Sequence, residues 1–154
     1  QYMSYLITES RADPAWVTLE ITESLAMHDP DRALAVLTEF QMLGLKIALD
    51  DFGTGYSSLS HLQVLPVNKV KIDRSFVTSI GVEEERTAIV AAILALCEAL
   101  GLETTAEGVE TVDQVEILTK LGCDTAQGFY FARPMNHSAL LSYLLNADAS
   151  QEAA

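Results

Sequence analysis

The sequence lacks the features that mark several classes of protein. It has 2 cysteines, 9 basic residues against 22 acidic ones, and no uncharged apolar run longer than the 11 residues from Thr87 to Cys97. Such a run is too short to span a bilayer, and two cysteines without a CxxC pair favour reduced thiols over a disulfide framework or a zinc site. The net charge of −13 argues against binding of long nucleic acid. It does not exclude a small phosphate ligand that is bound through metal ions.

Signals in the sequence mark several helix ends. The 154 residues are enough for one domain with its own core. A Leu-Gly pair followed by an apolar and then a charged residue begins at Leu43, Leu100 and Leu121. Glycine is favoured just past a helix, so each pair predicts a helix end. Asp29 ahead of Pro30, and a Thr111 and Gln114 capping box, predict two helix starts.

Two further helices are predicted from apolar spacing and capping residues. Ile89, Ile93, Leu96 and Leu100 predict the buried face of a helix that follows the acidic segment 83–85. Asn136 predicts the cap of a last helix over 138–146, and residues 147–154 are expected to form a frayed tail.

Short strands are predicted between the helices, at 16–22, 46–51, 69–73, 103–107 and 124–130. Strands that alternate with helices indicate βα units and a parallel sheet. One face of the strands carries a set of polar residues near the strand ends: Glu20, Asp50, Lys71, Glu107 and Gln127. In a (β/α)₈ barrel such inward residues gather at the C-terminal mouth, where active sites lie. An open doubly wound sheet would also gather ligands there, and salt bridges alone would explain any single residue.

The segment DDFGTGYSSL at 50–59 follows the second predicted strand. It is a poor dinucleotide fingerprint, because the third glycine is absent and two carboxylates precede it. It is also a poor kinase motif, because no HRD-like loop accompanies it. Four carboxylates around one lysine are costly unless they bind hard divalent cations such as Mg²⁺ or Mn²⁺. We therefore expect a metal site here, with Asp51 in the turn that ends the strand.

Five segments resemble the C-terminal part of a known family. They read LEITES at 19–24, ALDDFGTGYSSL at 48–59, VNKVKIDRSFV at 67–77, TTAEGVET at 104–111 and QGFYFARP at 127–134. In this order they are similar to the EAL domain, a family that hydrolyses the bacterial second messenger cyclic di-GMP. The resemblance covers about residues 15 to 145 and implies a TIM-like (β/α)₈ barrel, to which this chain contributes about five βα units.

The resemblance implies a two-metal phosphodiesterase site. Glu20, Asp50 and Asp51 would bind two divalent cations, Mg²⁺ or Mn²⁺, with Asp50 shared between them. Lys71 and Glu107 would orient or deprotonate the attacking water, and the product would be linear pGpG.

Further residues are assigned supporting roles by the resemblance. Glu23 would anchor the DDFGTG loop, Glu110 would hold the metal-site loop, and Gln127 would help to position the site. The loop and helix at 51–59 are expected to form a homodimer contact.

The Glu-Ala-Leu segment and an Asn ligand of the family have no counterpart in residues 1–154. We therefore expect residues 1–146 to be the C-terminal part of the domain, the intact domain to be active, and the fragment alone to be inactive and to expose apolar edges. An upstream sensor or diguanylate cyclase domain and a cytoplasmic location, with a possible upstream membrane anchor, are also expected. A cyclic di-GMP receptor without turnover and a structural or dimerisation module are the alternatives.

Overall fold

The structure is a computed structural model that describes residues 2–53 and 59–151. In chain order its elements are α1 (Tyr2–Ser10), a 3₁₀ turn (Pro14–Trp16), β1 (Thr18–Thr22), α2 (Glu23–His28), α3 (Pro30–Met42), β2 (Lys46–Phe52), α4 (Leu59–Val64), β3 (Lys69–Ile72), α5 (Arg74–Val77), α6 (Glu84–Leu100), β4 (Glu103–Glu107), α7 (Val112–Lys120), β5 (Thr125–Gln127) and α8 (His137–Gln151). None of the helices in these ranges combines the length and apolar character needed to cross a membrane.

The five strands form one parallel sheet in the order β1-β2-β3-β4-β5. Each strand is followed by a helix, so each new strand is added beside the previous one, as in a βα barrel. The prediction of about five βα units of a TIM-like barrel is therefore confirmed. The arrangement brings the carboxyl ends of all five strands to one edge of the sheet.

The core lies between the sheet and the helices. Ile47 and Leu49 of β2 and Val70 and Ile72 of β3 are fully buried and belong to one apolar cluster. The cluster also contains helical side chains, including Leu37 of α3 and Val90, Ile93, Leu94 and Cys97 of α6. Because side chains alternate along a strand, the residues between these strand positions point to the opposite, inner face. That face carries the polar residues singled out in the sequence.

Strand β2 contains an irregularity that matters for the site. Its pairing with β3 shifts register between Leu49 and Phe52, and Asp51 has a left-handed φ of 55°. Asp is one of the few residues that adopts this conformation at modest cost. The expectation that the strand ends by Asp51 was wrong, since β2 continues to Phe52. The bulge, rather than the strand end, turns the backbone between the two aspartates.

Three predicted strands are shorter in the structure. β3 ends at Ile72 and not at residue 73, because Asp73 caps α5. β1 begins at Thr18 and not at 16, because Asp13 caps a turn over Pro14–Trp16. β5 ends at Gln127 rather than at residue 130, since the Tyr130 amide donates to the Val109 carbonyl and draws the chain away from the strand direction.

Helix termini follow the sequence signals closely. Asp29 caps α3, and Thr111 and Gln114 form the capping box of α7. Gly101 ends α6 with a left-handed φ of 69°, as a C-terminal glycine should. Asn136 accepts from the Ala139 amide at the start of α8, and that helix continues to Gln151, beyond the predicted end at 146.

The predicted buried face of α6 needs a correction. Of the stripe of Ile89, Ile93, Leu96 and Leu100, Ile93 is buried and the other three are half-buried. The buried set is Val90, Ile93, Leu94 and Cys97. This helix is apolar on nearly every side, so the spacing of its apolar residues does not fix which side faces the sheet.

Candidate active site at the carboxyl ends of the strands

Five polar side chains meet where the strands end. Glu20, Asp50, Lys71, Glu107 and Gln127 lie on β1 to β5 in that order. The parallel register pairs Thr22 with Asp50, Lys71 with Thr105, and Glu107 with Gln127. The site is thus built from one residue on each strand, as the alternation in the sequence predicted.

Lys71 is the centre of this group. Its ammonium nitrogen Nζ lies 2.7 Å from Oε1 of Glu107, 2.8 Å from Oε2 of Glu20 and 3.1 Å from Oδ1 of Asp50. Only 8% of the Lys71 side chain is exposed. Burial alone would lower the pKa of Lys71, but the hydrogen bonds to Glu107, Glu20 and Asp50 together outweigh burial and raise it above its ordinary value. Lys71 is therefore a permanent cation and a hydrogen-bond donor.

Glu107 is held from two sides. Its Oε1 accepts from the Lys71 ammonium and also from Nε2 of Gln127, at 2.8 Å. Because an amide has no charge, Gln127 orients the carboxylate without neutralising it. The second oxygen of Glu107, Oε2, takes part in neither of these two bonds.

Three carboxylates form a group that fits a hard cation. One oxygen each from Asp50, Asp51 and Glu107 lies within 4.8 Å of the others, and all three side chains are half-buried. Carboxylate oxygen is the donor that Mg²⁺ and Mn²⁺ prefer, so the donor set fits these ions. Glu20, an expected ligand, is not in this group and instead contacts Lys71.

A buried glutamate supports the loop that follows β2. Glu23 is 1% exposed, and its Oε2 accepts from the Gly53 amide at 2.8 Å. Within the described residues its Oε1 has no hydrogen-bond partner. Glu23 thus ties the start of α2 to the segment directly after the two aspartates.

A cavity of about 570 Å³ opens beside Glu107 and Gln127. Its lining includes Arg74, Phe129 and Arg133, and the Arg133 guanidinium lies 4.6 Å from the centre of the Phe129 ring. Sequence reasoning missed both arginines as site residues. Arg74 closely follows the end of β3, and that position was the available signal. No such signal marked Arg133, which lies in the loop between β5 and α8.

Glu110 lines the same cavity and is exposed. Its backbone amide donates to Oε1 of Gln114, but its carboxylate has no hydrogen bond or ion pair among the residues that the structure describes. The loop it was expected to hold, and the expected dimer contact at 51–59, fall largely on residues 54–58, which lie outside the described ranges. These roles stay predictions.

Comparison with known families decides the classification. The family model described as EAL domain matches residues 1–134. The chain belongs to the EAL domain family. This EAL domain chain is 48% identical over 130 residues to the bifunctional diguanylate cyclase/cyclic di-GMP phosphodiesterase MucR of Pseudomonas aeruginosa, covering 84% of the chain and 19% of MucR. It is 40% identical over 141 residues to the cyclic di-GMP phosphodiesterase RocR of the same organism, covering 92% of the chain and 36% of RocR.

Solved EAL domain structures share the fold. The c-di-GMP complex of the PaMucR phosphodiesterase matches with a TM-score of 0.85 and 45% identity, over 88% of this chain and 55% of that one. The manganese and cyclic di-GMP complex of Klebsiella pneumoniae BlrP1 matches with a TM-score of 0.81 and 36% identity, over 86% of this chain and 34% of that one. The chain thus spans well under two thirds of the length of these relatives.

Proposed function

We propose that the protein to which this EAL domain chain belongs hydrolyses cyclic di-GMP to linear pGpG. The observation that carries the proposal is the buried ammonium of Lys71, shared by Glu20, Asp50 and Glu107 at the strand ends. Related phosphodiesterases named for this substrate, and the PaMucR complex that contains it, support the choice of substrate.

The proposed reaction uses Lys71 as a donor and Glu107 as an acceptor. Because Lys71 stays protonated, it can donate a hydrogen bond to the attacking water or to a phosphate oxygen on which charge develops. Glu107 lies within hydrogen-bond reach of the same centre, so it can accept the proton of the water. Gln127 keeps the Glu107 carboxylate oriented for this transfer.

Divalent cations fit the proposal. Asp50 and Asp51, together with Glu20 or Glu107, would hold two ions, Mg²⁺ or Mn²⁺, and such ions lower the pKa of bound water and polarise a phosphate. The carboxylate group of Asp50, Asp51 and Glu107 and the manganese in the BlrP1 complex support this assignment. With the ions bound, the acidic chain can accept an anionic dinucleotide.

The cavity beside Glu107 suits one end of the substrate. Arg74 and Arg133 supply positive charge there, and the Phe129 ring offers an apolar face. A cyclic dinucleotide presents both a phosphate and a flat base, which are the partners that these side chains bind.

The test is Asp50→Asn in the full-length protein, with Glu39→Gln on the exposed surface of α3 as control. Asparagine keeps the shape of the side chain but removes the charge, so we expect turnover of cyclic di-GMP to fall by about 10³-fold or more with the melting temperature within a few degrees of wild type. Chromatography of pGpG and thermal unfolding measure the two quantities.

Other outcomes of this test identify other functions. Binding of cyclic di-GMP without turnover by the wild type would make the protein a receptor. A full-length protein in which Asp50→Asn changes neither turnover nor binding would leave a structural or dimerisation role.

Further partners complete the proposal. The protein is also proposed to form a homodimer through the loop and helix at 51–59. Light scattering of the full-length protein measures its oligomeric state. Because cyclic di-GMP acts as an intracellular messenger in the family, we propose a cytoplasmic location for the domain. A companion sensor or cyclase domain is in keeping with the bifunctional relative MucR.

A further inference from the structure

Lys71 uses its whole hydrogen-bonding capacity on carboxylates. An ammonium group has three N–H donors, and Nζ of Lys71 lies between 2.7 and 3.1 Å from oxygens of three different carboxylates. Glu107 and Asp50 are 17% and 22% exposed, so water replaces these bonds poorly. The ammonium is thus the cation that these acidic side chains share in the described structure.

The same oxygens are needed for a divalent cation. Asp50 and Glu107 contact Lys71, and both also belong to the group with Asp51 that fits a metal ion. A divalent cation bound there would lie close to the ammonium. Two cations at such a separation repel each other, and in a partly buried site water screens this repulsion incompletely.

We propose that Lys71 is the resident counter-ion of the acidic site, which keeps Asp50 and Glu107 in position without metal and weakens metal binding by competing for their oxygens. This inference rests on the proposed metal-dependent function. It gives the lysine a second role besides donating to the reacting groups, for which the ammonium has to release one of its three carboxylate contacts. Metal occupancy would then follow the supply of divalent cation instead of saturating at trace concentrations.

Removal of the lysine charge has two expected effects of opposite sign. Lys71→Met keeps the length of the side chain but leaves Glu20, Asp50 and Glu107 without their shared cation, so the metal-free protein should unfold at lower temperature. The same change removes the competitor, so Mn²⁺ should bind about tenfold more tightly or better. A lysine whose only role is to donate to the reacting groups would produce neither effect.

The experiment titrates Mn²⁺ into the full-length protein at pH 8 without nucleotide, by calorimetry and by the loss of the free Mn²⁺ signal in electron paramagnetic resonance. Thermal unfolding is recorded in EDTA and in saturating Mn²⁺. Lys69→Met is the matched control, because Lys69 lies two positions earlier on β3 and contacts Glu103 at 3.4 Å, away from the site. Lys71→Arg keeps the charge and should bind Mn²⁺ as weakly as wild type.

The outcomes separate this inference from the proposed function. Tighter Mn²⁺ binding and a larger stabilisation by Mn²⁺ in Lys71→Met alone support the inference, as does folding of that variant only when Mn²⁺ is present. Equal or weaker Mn²⁺ binding by Lys71→Met, or its failure to fold with Mn²⁺, would overturn the inference and leave the function standing. Absence of Mn²⁺ binding in wild type and variants would overturn both.

Discussion

Glu23 places a carboxyl group where burial of a polar side chain is expensive. It is 1% exposed, and among the described residues one of its two oxygens has a partner, the Gly53 amide. A buried carboxylate of this kind is retained at a cost in stability. We interpret it as the anchor that fixes the segment after Asp50 and Asp51.

Two substitutions at Glu23 separate its hydrogen bond from its charge. Glu23→Ala leaves the Gly53 amide unsatisfied and should lower the free energy of unfolding by about 1 to 3 kcal/mol, with a loss of turnover. Glu23→Gln retains an acceptor and should keep most of the free energy of unfolding and most of the turnover. Urea unfolding and the pGpG assay measure the effects, and equal losses in the two variants would show that the charge, not the hydrogen bond, is what matters.

Cys97 makes the stability of the fold depend on pH in the alkaline range. Burial raises the pKa of its thiol to about 11, from an ordinary value near 9. Because the folded state holds the proton more tightly, the contribution is complete below pH 9 and is lost as the pH rises from about 9 to 11. We expect the urea midpoint of wild type to fall more steeply over this range than that of Cys97→Ala. Parallel curves would contradict the assignment.

At the residue scale, the sequence predicts best those site residues whose direction depends on the alternation of side chains along a strand. Glu20, Lys71 and Glu107 were expected together because side chains on parallel strands repeat every second residue. Arg74 and Arg133 were missed, since Arg74 begins the short helix α5 and Arg133 lies in the loop before α8, where no periodic pattern determines the direction of a side chain.

At the scale of elements, the loop after β4 is positioned by a close contact with the start of α5. A Cβ atom on Gly108 would lie 2.6 Å from Cβ of Arg74, whereas one on Gly101 would meet nothing within 4 Å. Both glycines have the same left-handed φ of 69°. Gly108 directly follows Glu107, so its displacement would move that carboxylate.

These two glycines provide a matched pair. Gly101→Ala should cost about 1 kcal/mol of stability from backbone strain alone, with turnover unchanged. Gly108→Ala should cost more and lower turnover by about 10-fold to 100-fold, because a small misplacement of a reacting group is costly. The pGpG assay and urea unfolding measure both.

The Arg74 contact itself is tested by a double variant. In an Arg74→Gly background the clash is gone, so Gly108→Ala should have no larger effect than Gly101→Ala does. A turnover defect of Gly108→Ala that is undiminished in that background would contradict the contact as its cause.

Element boundaries were predicted well where capping chemistry is local. Asp29, Thr111 and Asn136 cap the helices that they were expected to cap. The bulge in β2 and the buried face of α6 were not predictable, because both depend on the neighbouring strand or helix and not on local sequence.

At the scale of the whole molecule, the sheet has two edges. Within the described ranges β1 and β5 each pair with one strand, and large apolar side chains of α8 such as Leu141 and Leu145 are exposed. Exposed strand edges and apolar surface favour association with further protein. We therefore predict that residues 1–154 are unstable on their own, and each experiment uses the full-length protein.

The most direct measurement of the central claim is the conversion of cyclic di-GMP by the full-length protein with Mg²⁺ or Mn²⁺, with product separated by chromatography and EDTA as control. We predict pGpG that accumulates only with the divalent ion, because Asp50, Asp51 and Glu107 form a carboxylate group suited to such ions. Product that forms equally in EDTA would contradict the metal-dependent site. Absence of product with either ion would contradict the proposed hydrolysis.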